Sequence, residues 1–285
     1  MVAKLRRQFT TAVQPVMALA LTYVQQQSSL GMDKTGWRQG NSDGQNTAHT
    51  KGWLWVMTTA WVSYFQVRLS RSQAVTQALL GQDYAGIVGS DRARAYNALP
   101  LDQRQICLAH LNRDFTAMAE RSGVSAEIGQ ALLDITHDVF ALWYDFRTGM
   151  IGRAGLREQI WPLRQDLKQV LAEAVSFGTK GKTPLDKTTR TCAQILKVEL
   201  ALWTFVEHPG VEPTNNAAER AIRPAVLWRK VCLGAQSQAG AEFVAAALTV
   251  IMSLQSQDRN ILDYLTEVFD AHTRRLAMPS LLPCI

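Results

Sequence analysis

Three acidic residues, Asp33, Asp91 and Glu219, lie far apart in the chain, yet at positions from which their side chains can meet. Asp33 falls inside an expected strand, Asp91 at the C-terminal end of a later one, and Glu219 on a helix near the end of the chain. If the first strand lies beside the fourth, the two Asp side chains converge, and a helix packed across the sheet adds the third carboxylate. Three acids at close range repel and raise one another's pKa, unless divalent cations reverse the balance. Mg²⁺ takes oxygen ligands. Two such ions about 3.5–4 Å apart can activate an attacking oxygen and stabilise a leaving one during in-line phosphoryl displacement. The competing reading is that these acids cap helices and line solvated loops, and each taken singly is better explained that way.

Neighbouring residues bear on that choice. Arg220, Arg223, Arg229 and Lys230 form a basic cluster uninterrupted by acids. Such a cluster is usually a solvated helix face. Beside a metal site it reads better as a phosphate clamp, with Arg220 and Arg223 one turn apart. Asn215 and Asn216 stand where they can cap that helix and touch substrate. Cys107 and His110 are too few to make a structural zinc site. They are read either as a buried Cys with a His capping the next helix or as support near the acids.

The elements that must position these residues follow from pattern. Ser28–Trp37 reads as a strand, Gly40–Gly44 as a turn, Gly52–Met57 as an aromatic and β-branched strand, and Trp61–Leu69 as a strand alternating with period two. Ser72 can cap a helix ending at Gly81, and Ala85–Gly89 is a short buried strand that delivers Asp91. Arg104–Cys107 is a further strand, leading into a helix as far as Arg121. From Ser125 to Phe205 the period is helical, with apolar stripes through Ile128–Leu142, Ile160–Leu171 and Cys192–Trp203, and a loop at Phe177–Pro184. The tryptophans Trp53, Trp55, Trp61, Trp143, Trp161 and Trp203 are expected in the core. A basic helix over Glu219–Arg229 and two more, Ala239–Gln255 and Ile261–Leu276, complete the chain. The expected class is α/β, a ribonuclease H-like mixed sheet with an all-helical insertion before the last acid. The expected division is an N-terminal helix over 1–27, the first part of the core over 28–121, the insertion over 122–208 and the rest of the core over 209–285.

Composition agrees with a globular protein: 285 residues, 47% hydrophobic and 19% charged. A net charge of +6 and a pI near 9.3 favour polyanionic partners, though charge alone is weak evidence. The four cysteines Cys107, Cys192, Cys232 and Cys284 include no Cys-x-x-Cys pair, which fits a reducing, cytoplasmic location. The apolar run Ala12–Val24 follows Lys4, Arg6 and Arg7 but is broken by Gln14, Pro15 and Thr22, and is too short to span a bilayer. It is read as an amphipathic helix, with no membrane partner.

Several blocks also resemble a known family. Asp33-Lys34-Thr35-Gly36-Trp37 is similar to the Asp-Glu-Thr-x-Trp block of the insertion-sequence-66 family of transposases. Gly52–Val56, Ser70–Ser72, Leu80–Gly86, Ser90–Asn97 and Cys107–Phe115 resemble the blocks that follow, and Pro213–Pro224 resembles the glutamate block closely. Leu281-Leu282-Pro283 is similar to the tail. The resemblance implies a ribonuclease H-like Asp-Asp-Glu transposase, with Asp33, Asp91 and Glu219 as catalytic acids and metal ligands, and Cys107 and His110 in support. It also implies two Mg²⁺ (or Mn²⁺) ions, cleavage at transposon ends and strand transfer into target DNA. The implied partners are DNA, accessory transposition proteins and further copies of the chain on DNA. The family's N-terminal coiled coil and DNA-end-binding region is missing, so the chain is expected to be a truncated product. Lys34 stands where the family usually has an acid. A cation beside Asp33 could compete with metal, or, because neighbours alternate along a strand, point to the face opposite Asp33; the second is expected. The alternatives are an inactive or repurposed DNA-binding remnant and a ribonuclease H-like nuclease.

Overall fold

The first three apolar runs form β1 (Ser29–Trp37), β2 (Gly52–Thr58) and β3 (Ser63–Arg68), preceded by the helix α1 (Val2–Gln25). Then come α2 (Gln73–Leu80), β4 (Ile87–Ser90), β5 (Arg104–Ile106) and α3 (Leu108–Ala119). The helices α4 (Val124–Arg147), α5 (Arg153–Ser176), α6 (Pro184–Leu196) and α7 (Thr204–Glu207) follow. Last are α8 (Asn216–Val231), α9 (Gln238–Ser256) and α10 (Ile261–Arg274). This computed structural model describes residues 2–178 and 180–283; Thr179 of the expected 177–184 loop, and Cys284, lie outside the described residues. The chain is mixed α/β and divides into two units, one made of residues up to Ala98 and from Asn215 onward, the other Leu99–Thr214.

Within the first unit the strand order is β3-β2-β1-β4. β1 pairs antiparallel with β2 (Asp33 opposite Val56, Lys34 opposite Trp55) and parallel with β4 (Leu30 opposite Val88, Gly31 opposite Gly89). β2 pairs antiparallel with β3. The central place of β1 is the arrangement that the sequence pattern required. Six of the seven residues of β2 are buried, so it is a continuous apolar run and not an alternating one, as befits a strand covered on both faces. The outer N–H groups of Ser63 and Phe65 on β3 donate to the hydroxyls of Ser253 and Thr249 on α9, at 3.0 and 2.9 Å. That contact covers a sheet edge that would otherwise invite pairing.

One face of the sheet offers Trp37, Leu54, Val56, Phe65 and Val67 to a helical layer rich in alanine: Ala218, Ala221 and Ala225 of α8, and Ala241 and Ala245 of α9. Small side chains let both helices sit low on the sheet, while Ile222, Val244 and Leu248 fill the gaps. Among the described helices α9 is the one long and apolar enough to cross a membrane, but half of it is buried inside the protein, where it serves as this core helix. α1 buries Ala12, Val13, Val16, Ala20 and Val24 and sets Phe9 edge-on against Phe243 of α9.

The second unit has β5, after a 3₁₀ turn at Leu101–Gln103, as its one strand among the described residues, and its other elements are helical. α3, burying Leu108, Leu111, Phe115 and Met118, packs against α4, whose buried Ile128, Leu132 and Val139 follow the apolar spacing read from the sequence. Buried Gln105 ties β5 to α7 and the turn before it: its amide donates to the Leu202 carbonyl (3.0 Å) and its oxygen accepts from the Phe205 N–H (2.7 Å). Three expectations fail here and in the first unit. Trp61 and Trp161 are exposed, at 44% and 61%, and are not core residues. Trp61 and Leu69 also fall outside β3, whose run is shorter than the period-two pattern suggested. Leu200 is exposed because Glu199–Leu202 is a 3₁₀ turn, which takes it out of the α-helical period.

Candidate functional site

Asp33 stands near the middle of β1, the central strand, half-buried. Its Oδ1 accepts the backbone N–H of Lys34 at 2.7 Å. Burial pushes its carboxyl up to about 6, helped by the negative charges of Asp91 and Glu219, while the Lys34 N–H and ammonium pull the other way. Asp33 therefore lies within the field of both other acids, although they come from remote parts of the chain.

Register explains how Asp91 gets there. The parallel pairing of β1 and β4 runs as far as Gly31 opposite Gly89. Carried two residues further, the same register sets Asp33 level with Asp91, just past the end of β4. There the chain turns, and the Asp91 Oδ1 accepts the N–H of Ala93 at 3.0 Å.

Glu219 is brought in by α8. Its helix begins after Asn215, whose buried side chain makes no capping bond. Instead the Asn215 Nδ2 donates to the carbonyl of Met32, next to Asp33, at 2.8 Å. The expected cap is thus a cross-link between α8 and β1. A Cβ on Gly31 would meet Asn215 Oδ1 at 3.0 Å and Ala218 Cβ at 3.3 Å, so a glycine at this point of β1 is what allows the close approach. Glu219 sits in the first turn of α8, where the helix dipole favours a negative charge.

Lys34 departs from expectation. Alternation does turn it away from Asp33: it lies opposite Trp55 on β2, and its ammonium is 4.3 Å from the ring centroid of Tyr96 and 5.5 Å from that of Trp55. It does not leave the acids, however. The Lys34 Nζ is 3.6 Å from Asp91 Oδ1, in an ion pair where the lysine side chain is only 7% exposed and the aspartate 28%. Burial lowers the Lys34 pKa, and the charges of Asp91 and Asp33 oppose that shift. The side chain is long enough to reach round to an acid lying beyond the end of its strand.

The basic face is only partly a surface clamp. Arg220, Arg223 and Lys230 are exposed on α8, as is Asn216. Arg229 uses Nη1 to donate to the Thr35 hydroxyl and to the Gly36 carbonyl (3.0 Å), pinning the end of α8 to β1. Cys107 and His110 belong to the second unit. Cys107 is buried and occupies the N-cap position of α3, making no side-chain capping bond; His110 is inside the first turn and is not the cap. Their ligand atoms lie within 4.8 Å of each other. The Asn215–Met32 and Arg229–Thr35 bonds and the Lys34–Asp91 pair were missed by sequence reasoning; only the register of β1 and β4 hinted at the last.

The family model described as Transposase IS66 family matches residues 1–243. Among curated proteins, and among solved structures, nothing matches the chain.

Proposed function

Because the chain belongs to the IS66 family of transposases, we propose that it is an Asp-Asp-Glu enzyme of ribonuclease H-like type, cutting transposon ends and joining them to target DNA. Family membership implies a role in transposition, DNA as a partner and the use of divalent metal. The finer reading assigns Asp33, Asp91 and Glu219 as the acids that do the work. The observation that supports it is the parallel register of β1 and β4, which runs towards Asp33 and Asp91, with the Asn215–Met32 bond holding the Glu219 helix against β1; burial, with the charges of Asp91 and Glu219, raises the Asp33 pKa.

The donor set suits the group. Hard carboxylate oxygens gathered in a half-buried place, at least one reluctant to ionise beside its neighbours, suit a divalent cation better than solvent. Mg²⁺ or Mn²⁺, two ions in this reading, would activate the nucleophilic oxygen and stabilise the leaving one. The chain's own residues do the rest. The Lys34 N–H fixes one Asp33 oxygen, the Ala93 N–H fixes one Asp91 oxygen, and the Asn215–Met32 bond holds the Glu219 helix against β1. Arg220, Arg223 and Lys230 draw the phosphate backbone along α8, and Asn216 meets it at the helix start. The protein is cytoplasmic in this reading, works as a homo-oligomer on DNA and draws on accessory transposition proteins.

A second reading, a DNA-binding protein that does not cut, is favoured by the Lys34–Asp91 pair, which sets a cation against an acid needed for metal. One experiment separates the two. Wild type and the D33N, D91N and E219Q variants are incubated with transposon-end duplexes and Mg²⁺ or Mn²⁺. Cleavage by wild type alone supports the enzyme, whereas binding without cleavage by every form supports the second reading.

A further inference from the structure

A cleft of about 840 Å³ opens where the loop joining β1 to β2 meets the connection from α8 to α9, outside the group of acids. Arg38, His49, Lys51 and Arg229 line it, together with Gly36 and Gly234. We propose that this cleft is a second binding site for the phosphate backbone of DNA, gripped chiefly by Arg38 and Lys51. The proposal rests on the DNA-acting reading above, and adds residues which that reading does not use.

Charge is the first argument. Among the described residues no acid lines the cleft, and residues 38–51 contain one acid, Asp43. That carboxylate is already engaged: its Oδ2 accepts the N–H of Gln238 at the start of α9 (2.7 Å) and its Oδ1 that of Gln45 (3.4 Å). Nothing in the lining neutralises Arg38, Lys51 or Arg229, so the field in the cleft is positive, and a concave wall concentrates it.

Rigidity is the second. The cleft walls are hydrogen-bonded to each other: the Gly40 N–H donates to the Ala235 carbonyl (2.8 Å), the Ala235 N–H to that of Arg38 (2.9 Å) and the Ser42 N–H to that of Gln236 (2.9 Å). Buried Asn46 ties the loop internally, donating to the carbonyls of Gln39 and Thr50 and accepting the Thr50 N–H. His49 holds a left-handed backbone (φ 49°), a conformation that a non-glycine residue keeps only when its surroundings enforce it. A loop held this firmly loses little freedom on binding.

Placement of the cations is the third. Lys51 lies across Gly36, where an added Cβ would meet its Cε at 2.8 Å, and its ammonium is 4.8 Å from the ring centroid of Trp53. Arg71 stacks on the same ring at 4.5 Å. Trp53 therefore contacts two cations, one of them the Lys51 that lines the cleft. Cations drawn from the β1–β2 loop, the start of β2 and the end of α8, around a space far larger than one phosphate, fit a chain of phosphates better than a single anion.

The test compares wild type with R38Q/K51Q, two exposed positions whose change should leave melting temperature unaltered. Binding to a long duplex is measured without divalent metal between 50 and 200 mM salt. The expected result is an affinity roughly tenfold or more weaker at low salt, and a salt slope shallower by about 1.8 log units, for two lost phosphate contacts. R38K/K51R should restore both. Equal affinity and slope in wild type and R38Q/K51Q would overturn the proposal while leaving the DNA-acting reading intact. A wild type with no affinity for duplex would overturn both. In a parallel arm, inorganic phosphate is used as a thermal-shift ligand. If R38Q/K51Q loses that shift and still binds duplex normally, the cleft takes a free anion and the proposal fails.

Discussion

The ammonium of Lys34 stands 3.6 Å from the carboxylate of Asp91, although Lys34 is the immediate neighbour of Asp33 and faces the other side of β1. A single cation thus stands against the Asp91 carboxylate, which also interacts with Asp33. A divalent ion bound by Asp91 must either displace this ammonium or tolerate it nearby, and two positive charges that close repel strongly in a partly desolvated place. Replacing Lys34 by Gln should therefore tighten Mn²⁺ binding by roughly tenfold, and by Glu more, since about 1.4 kcal/mol corresponds to each factor of ten. Titration of Mn²⁺ followed by electron paramagnetic resonance checks this. Unchanged affinity in both variants would mean that the ion pair does not oppose the metal.

The raised pKa of Asp33 has a definite sign in stability. An acid near 6 in the folded protein and 3.8 in the unfolded one binds more protons when folded between those values. Stability contributed by this group therefore falls as pH rises through that window, and the penalty is complete above it. D33N should raise the stability of the metal-free protein by about 1–3 kcal/mol at pH 8 and hardly at all at pH 4. Denaturant melts at the two pH values decide it; equal gains at both would point to packing and not to charge.

Metal binding should show the same group in reverse. A proton on Asp33 competes with a cation, so Mn²⁺ affinity should weaken as pH falls through about 6 and level off above it. In D33N that inflection should vanish together with most of the affinity. An inflection that persists in D33N would belong to another group.

Gly31 governs how close α8 comes to the sheet. A methyl group there would lie 3.0 Å from Asn215 Oδ1 and 3.3 Å from both Ala218 Cβ and Thr58 Cγ2, tighter than ordinary contact allows. G31A should destabilise by about 1–3 kcal/mol, and by displacing the Asn215–Met32 bond should weaken Mn²⁺ binding as well. N215A should reproduce the metal effect, because it removes the bond that holds α8 to β1 next to Asp33. If G31A melts lower but binds Mn²⁺ normally, the glycine serves packing alone.

These residues also show where the sequence was readable. The strand carrying Asp33 and the one leading to Asp91 could be read because apolar runs such as Trp53–Met57 and Ile87–Val88 have few other uses, and three hairpin-linked strands followed by a crossover place β1 centrally. The direction of the Lys34 side chain was readable but its reach was not: the pleat fixes the face, while a four-carbon stem and an acid lying past a strand end decide the partner. Asn215 looked like a cap because caps are local, whereas its real partner, Met32, is remote in sequence. Trp61 and Trp161 resemble core residues by type alone, and type does not say which side of an element faces solvent.

The last prediction separates grip from chemistry on α8. Arg220 and Arg223 are exposed on the helix that carries Glu219, with Lys230 near its far end. If they hold phosphates, R220Q, R223Q and K230Q should each weaken binding to all sequences alike and flatten the salt dependence by about 0.9 log units. Arg229 should behave differently. Its guanidinium is bonded to Thr35 and Gly36, so R229Q should lower the melting temperature as well as the affinity. E219Q removes a negative charge near the backbone path, so its DNA affinity should hold or rise while Mg²⁺-dependent cleavage stops. Filter binding on long duplexes at low salt, paired with a cleavage assay on the same samples, reads both properties. If E219Q loses DNA binding in step with the arginine variants, Glu219 is supporting the helix and not the reaction, and the three-acid reading fails at its last member.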